Sequence, residues 1–187
     1  LSKPESFNYG AIGFVVGHEI IHSIDSIGAN YDKNGLPNQW LNASDMLRYK
    51  DLQNKMIQLY DNIVYVNNPE EGTYYKVNGT NTLSENIADL GGLNILIDAY
   101  MAKLDKYGLS ESEYNNRLKD LLWARSYTLC QSLPVATEVY SAQKDVHSPS
   151  KARVNGTVMN LDIWYDLYDV TSANINYLAP QDRIVIW

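Results

Sequence analysis

The stretch from Asn8 to Ile27 constrains the fold more than any other part of this 187-residue chain. Its spacing predicts one long helix, and Ile12, Val15, Val16, Ile20 and Ile24 leave that helix little polar surface. A helix that is apolar nearly all round belongs in a core, so it is expected to be buried. Gly10, Gly13 and Gly17 fall on roughly one side, where a second backbone could approach closely. Gly28 follows as a stop signal. A chain of this length can bury such a helix in one domain covering 1–187, and no linker interrupts it.

Downstream the pattern stays helical. Ser44 is a candidate cap for a helix from Asp45 to about Val66, with Met46, Leu52, Met56, Leu59 and Ile63 on its apolar side. The next segment, to Gly79, reads as a loop or short hairpin, with Tyr74, Tyr75 and Val77 as strand residues. Thr82 opens a long helix to about Lys106, Ser110 opens one to about Ser132, and Pro134 starts a short one to Lys144. Asp145 to Thr157 reads as loop, Asn160 to Tyr168 as helix, and Ile184 to Trp187 as a final apolar run. The expected class is mainly α with little β-structure.

Two histidines and a glutamate are set into the first helix as His18-Glu19-Ile20-Ile21-His22. Residues i and i+4 share a helix face, about 6 Å apart along the axis. His18 and His22 can therefore bind one metal, at the Zn–N bonds of about 2.0–2.1 Å that zinc prefers. Glu19 leans toward the same edge and can take a proton from a water there. Two chance histidines on a helix would look the same. However, the chain has only three histidines, and a charged Glu on an apolar helix is costly without a purpose.

A catalytic zinc needs a third protein ligand and an open position. Glu85 is the candidate, within Thr82-Leu83-Ser84-Glu85-Asn86-Ile87-Ala88-Asp89. Thr82-x-x-Glu85 also matches a capping box, in which Glu85 would bond the helix start instead. Asp89 lies one turn on, and two carboxylates on one face repel unless a cation lies between them. Asp89 could then accept the free ring N–H of a liganding histidine. Asp25 could do the same for His22, or be a solvated residue at a helix end. His147, held by Asp145, could stabilise an oxyanion. Arg153 could fork onto a substrate carbonyl. A loop His and Arg taken alone are more often simply solvated.

In these residues the chain resembles the neprilysin and endothelin-converting enzyme family of zinc metallopeptidases over essentially its whole length. Asn8-Tyr9-Gly10-Ala11-Ile12-Gly13 leading into His18-Glu19-Ile20-Ile21-His22 is similar to the family's active-site helix. Val77-Asn78-Gly79 followed by Thr82 to Gly92 is similar to its second signature, and Asp145 to Pro149 with Arg153-Val154-Asn155-Gly156 to its third. A terminal Trp, here Trp187, is also usual. The resemblance implies a thermolysin-like catalytic domain and one zinc per chain on His18, His22 and Glu85. It implies Glu19 as base, Asp25 and Asp89 behind the ligands, His147 on the transition state and Arg153 on substrate backbone. Ser26 stands where the family often has a second Asp, and Ala152 where an aromatic residue is common. The family's substrate-aligning strand and its lid domain would lie upstream, so the chain is expected to be the C-terminal part of a longer one.

The expected activity is hydrolysis of short peptides on the amino side of apolar residues. Two other classes stay open: a zinc-stabilised module that is inactive without the upstream parts, and a helical interaction domain with no metal. The net charge of −7 argues against a nucleic-acid partner. No run of 18 apolar residues occurs, so no membrane-spanning segment is expected. Cys130 is the one cysteine and cannot form an internal disulfide. Animal members of the family carry disulfides, so a bacterial member is expected, with the cytoplasm favoured over export.

Overall fold

The computed structural model describes residues 3–68, 72–130 and 133–186. It is mainly α, with two short strands among those residues. Trp187 and the expected helix end at Ser132 lie outside the described residues.

The first helical segment is α1 (Glu5–Asn8), a π turn (Tyr9–Gly13) and α2 (Phe14–Ile21) in direct succession. It starts before Asn8 and its regular part ends at Ile21, not Ile27. The chain then turns because Asp25 Oδ1 accepts the backbone N–H groups of Ile27 and Gly28 at 2.7 and 2.8 Å. α3 (Ala43–Asp61) is capped by Asn42, whose side chain accepts from Asp45 N, so the cap lies two residues ahead of Ser44. It ends short of Val66, because Val64–Asn68 forms β1 and pairs antiparallel with β2 (Thr73–Lys76). The β-branched and aromatic run Ile63-Val64-Tyr65-Val66 suits a strand better than a fourth helical turn.

α4 (Leu83–Leu104) follows Thr82, α5 (Glu111–Leu129) follows Ser110, and α6 (Val135–Lys144) follows Pro134. The capping box of this fold is at Ser110 and Glu113, where both reciprocal bonds are made. Residues expected as loop form α7 (Ser150–Val158), and α8 (Asp162–Tyr168) comes after it. Asn155 and Gly156 look like turn residues in sequence, yet Gly156 is helical. A Cβ there would lie 2.7 Å from the Tyr60 ring, so the glycine serves packing.

The centre of the fold is α2 lying against α4. A Cβ on Gly17 would fall 2.7 Å from the Gly92 carbonyl oxygen, and one on Gly92 would fall 2.5 Å from His18 N. The two backbones therefore touch, and this contact delivers His18 to the polar side chains of α4. Phe14, Ile21, Ile87, Leu90, Leu93 and Leu121 close the core around it, each at most 1% exposed.

The expectation that the first helix is buried all round is corrected. Only its glycine side is covered. Ile12, Val16 and Ile20 are 64%, 53% and 54% exposed. Hydrophobic spacing marks a face for burial but does not say what covers it. Among the described residues no helix is long and apolar enough to cross a membrane.

Candidate metal centre

Three His–carboxylate pairs converge on one glutamate. In each pair a ring Nδ1 faces a carboxylate. Asp89 Oδ1 stands 3.0 Å from His18, Asp25 Oδ2 stands 2.6 Å from His22, and Asp145 Oδ1 stands 2.7 Å from His147. In each pair the other ring nitrogen, Nε2, points at Glu85. The distances to its carboxylate are 3.1 Å from His18, 3.6 Å from His22 and 3.1 Å from His147. Glu85 makes no capping bond to Thr82, whose side chain caps nothing. Its carboxylate instead enters the histidine cluster.

His18, His22 and Glu85 are the one set among the described residues that could hold a metal through three protein ligands, their atoms lying within 4.8 Å of one another. The donor chemistry fits zinc. With Asp25 bonded to His22 Nδ1 and Asp89 drawing a proton to the Nδ1 side of His18, the Nε2 lone pairs of the two rings confront each other at 3.1 Å. That arrangement is repulsive unless a proton or a cation sits between them. Ligand atoms of a tetrahedral zinc stand about 3.3 Å apart, close to the separations here. The carboxylates behind the rings fix tautomer and orientation as metal-bound histidines require.

The electrostatics follow from this crowding. Burial works against a charge on His18, but contacts with Asp89 and Glu85 outweigh it and raise its pKa from 6.5 to about 9. Burial would push Asp89 up, yet the bonds from Arg153 and His18 hold it down at about 2. Glu85 is likewise lowered, burial being outweighed by the bond to His18 and the nearness of the other two histidines. The backbone and side chain of His147 lower Asp145.

The remaining expected residues are placed as follows. Glu19 is exposed on α2 and stands outside the three-ligand set. Asp25 is buried and also accepts the Ser84 hydroxyl, so α4 helps to orient His22 through it. Arg153 forks onto Asp89, with Nε and Nη2 at 2.8 and 2.6 Å. It lines a cavity of about 320 Å³ shared with His147, Leu129, Leu133, Ala142 and Pro149.

Sequence reasoning missed four contributors. Ser84 reaches Asp25, and Asn86 reaches Ser148. Arg125 is fully buried on α5, with Nη2 bonded to the Arg153 carbonyl and Thr157 Oγ1 at 2.8 and 3.1 Å and lying 3.8 Å from Asp89. Its signal was available: Leu118, Leu121, Leu122 and Arg125 follow the spacing of one core stripe, so an arginine there demands a buried anion.

Comparison with known proteins agrees with this geometry. The model of peptidase family M13 matches residues 1–184. The neutral endopeptidase of Lactobacillus helveticus is 37% identical over all of this chain, which covers 26% of that protein. Human membrane metallo-endopeptidase-like 1 is 33% identical over 99% of the chain and 23% of its own length. The crystal structure of the zinc metalloprotease Zmp1 of Mycobacterium tuberculosis, in complex with an inhibitor, superposes with a TM-score of 0.89 at 32% identity, over 98% of this chain and 28% of that one. The chain thus spans about a quarter of the length of the relatives it matches. With a family model matched over residues 1–184 and a solved zinc metalloprotease sharing the backbone, this chain belongs to peptidase family M13, the neprilysin family.

Proposed function

We propose that the protein to which this chain belongs is a zinc-dependent endopeptidase of short peptides, with one zinc per chain held by His18, His22 and Glu85. The convergence of three carboxylate-backed histidines on Glu85 carries this reading. Bound zinc would supply Lewis acidity, making water acidic and polarising a carbonyl. Glu19 takes the proton of the attacking water and passes it to the leaving amine. His147, braced by Asp145, presents its Nε2 side to the oxyanion. Asp89 holds both His18 and Arg153, and Arg153 meets the substrate backbone. Leu129, Leu133, Ala142 and Pro149 give the adjoining cavity an apolar wall, which supports cleavage on the amino side of apolar residues.

A Glu19→Gln variant of the full-length protein tests the reading. Hydrolysis should fall by about a thousandfold or more while one zinc stays bound, because a base is lost but no ligand. Full activity in that variant would remove Glu19 from the mechanism. Absence of bound zinc from chelator-free wild-type protein would overturn the metal reading itself.

A second reading concerns the 187 residues alone. Ile12, Val16 and Ile20 form an exposed apolar stripe, and the chain spans about a quarter of its relatives. The isolated chain is then a zinc-stabilised module whose activity needs the remaining polypeptide, including a domain that closes over the site.

A further inference from the structure

Asn86 is fully buried next to Glu85, and its amide bonds to Thr82 and Ser148. Its Nδ2 donates to Thr82 Oγ1 at 2.9 Å, and Thr82 Oγ1 donates to the Asn78 carbonyl at 3.0 Å. The Thr82 hydroxyl has one proton, already given to Asn78, so it must accept from Asn86. That fixes the Asn86 amide with its carbonyl oxygen outward, where it accepts the Ser148 hydroxyl at 2.7 Å. Thr82 and Ser148 are also buried, at 2% and 4% exposure. The chain of donors thus runs one way, Ser148 to Asn86 to Thr82 to Asn78. A second strut joins the same segments, Asn81 Nδ2 to the Asp145 carbonyl at 2.9 Å.

Ser148 follows His147 directly and Pro149 then starts α7, which carries Arg153. His147 itself is half-exposed, with Nε2 3.1 Å from Glu85, and the carboxylate that backs its Nδ1, Asp145, lies two residues away on the same exposed loop. Nothing in that local pair sets the distance from the imidazole to Glu85. The buried Ser148–Asn86 bond does, because Asn86 and Glu85 are neighbours on one rigid helix. We propose that Asn86 is a positioning residue for His147, acting through Ser148 to set the spacing between the imidazole and the Glu85 carboxylate. This rests on the reading of His147 as the group that meets the transition state.

Four forms of the full-length protein test it: wild type, Asn86→Ala, His147→Ala and the double variant. Asn86→Ala should lower kcat by about ten- to a hundredfold, the scale of a misplaced catalytic group, with KM within about twofold. Zinc stoichiometry should not change. A phosphonamidate peptide, which mimics the tetrahedral oxyanion, should bind more weakly by about the same factor as kcat falls. On top of His147→Ala, the second substitution should change kcat by less than about twofold, since there is no placed imidazole left to lose. A merely structural Asn86 would instead multiply the His147→Ala defect, and that result overturns the inference while leaving the role of His147 intact. Zinc loss on Asn86→Ala would also overturn it, by placing the effect in the ligand set. An inert His147→Ala would overturn the reading on which the inference rests. Should Asn86→Ala fail to fold, Ser148→Ala removes the same bond from the other end, and the same cycle with His147→Ala decides the matter.

Discussion

At the scale of single residues, the site is a set of protons already assigned. His18 holds one up to about pH 9 in the metal-free protein, because Asp89 and Glu85 flank it. A group whose pKa is raised on folding stabilises the fold fully below its ordinary 6.5 and loses that contribution as pH climbs through about 9. Asp89 works in the opposite sense, stabilising above its ordinary 3.8 and losing this as pH falls through about 2. Chelator-treated protein should therefore be most stable between about pH 4 and 6.5 and lose about 3 kcal/mol toward pH 9, at 1.36 kcal/mol per pKa unit. Urea midpoints across that range check this, and a flat profile would remove His18 as the titrating group. Zinc affinity should run the other way, rising with pH through the same window as the competing proton leaves.

Arg125 belongs to this scale too. It is a permanent charge with no solvent, set between Asp89 and the Phe14 ring, 4.8 Å from the ring centre. Arg125→Met keeps the length and removes the charge, leaving Asp89 with one arginine instead of two. We expect a loss of about 3 kcal/mol, the usual cost of breaking a buried ion pair, measured by urea unfolding of the zinc-free protein. An unchanged midpoint would mean that Arg153 alone satisfies Asp89.

At the scale of elements, the contact of α2 with α4 decides whether the ligands meet. Gly92→Ala forces a Cβ against the backbone of His18 at 2.5 Å, and backbone cannot step aside as a side chain can. Gly91→Ala meets only the Ile21 side chain, at 3.0 Å. The first substitution should cost about 3 kcal/mol and weaken zinc binding by at least about tenfold, and the second should do markedly less. Denaturation and zinc titration of the two variants side by side measure the difference; equal effects would mean that backbone proximity is not what brings His18 to α4.

Much of this arrangement is legible in the sequence. Ser110 and Pro134 announce their helices, and Thr82 marks the start of α4 even though it caps nothing. The pairing of His18 and His22 needs only helical spacing. Other parts depend on contacts between distant segments and leave no local trace. Thr82-x-x-Glu85 satisfies two rules at once, and only the arrival of α2 shows which one operates. α7 hides behind Asn155 and Gly156, because the reason for that glycine is Tyr60, nearly a hundred residues earlier. Ile12, Val16 and Ile20 read as core residues in sequence, yet they are exposed, because apolar spacing marks a face without supplying anything to lie against it.

At the scale of the whole molecule, that uncovered face is where the 187 residues alone and a protein as long as their relatives are expected to differ. Ile12 is the most exposed of the stripe and lies well ahead of His18 in the helix. Ile12→Lys should be nearly neutral in the 187-residue chain, within about 0.5 kcal/mol, as surface changes are. In the full-length protein the same change should cost about 2 kcal/mol or more, if further polypeptide buries that position. Unfolding of both forms, with and without the substitution, reads this directly. Equal costs would mean that the stripe stays in water in the complete protein as well.

On α4, Ser84 reaches Asp25, Glu85 reaches the histidine cluster, Asn86 reaches Ser148, and Asp89 reaches His18 and Arg153. Four positions within two turns of one helix address four walls of the site, so their addresses are spaced by the helical rotation of about 100° per residue that 3.6 residues per turn imposes. A point substitution removes one address and leaves the others. A single inserted or deleted residue between Ser84 and Asp89 shifts those before it against those after it by that full rotation, and no side-chain adjustment can restore them. The length of this segment is therefore held more tightly than any one of its residues.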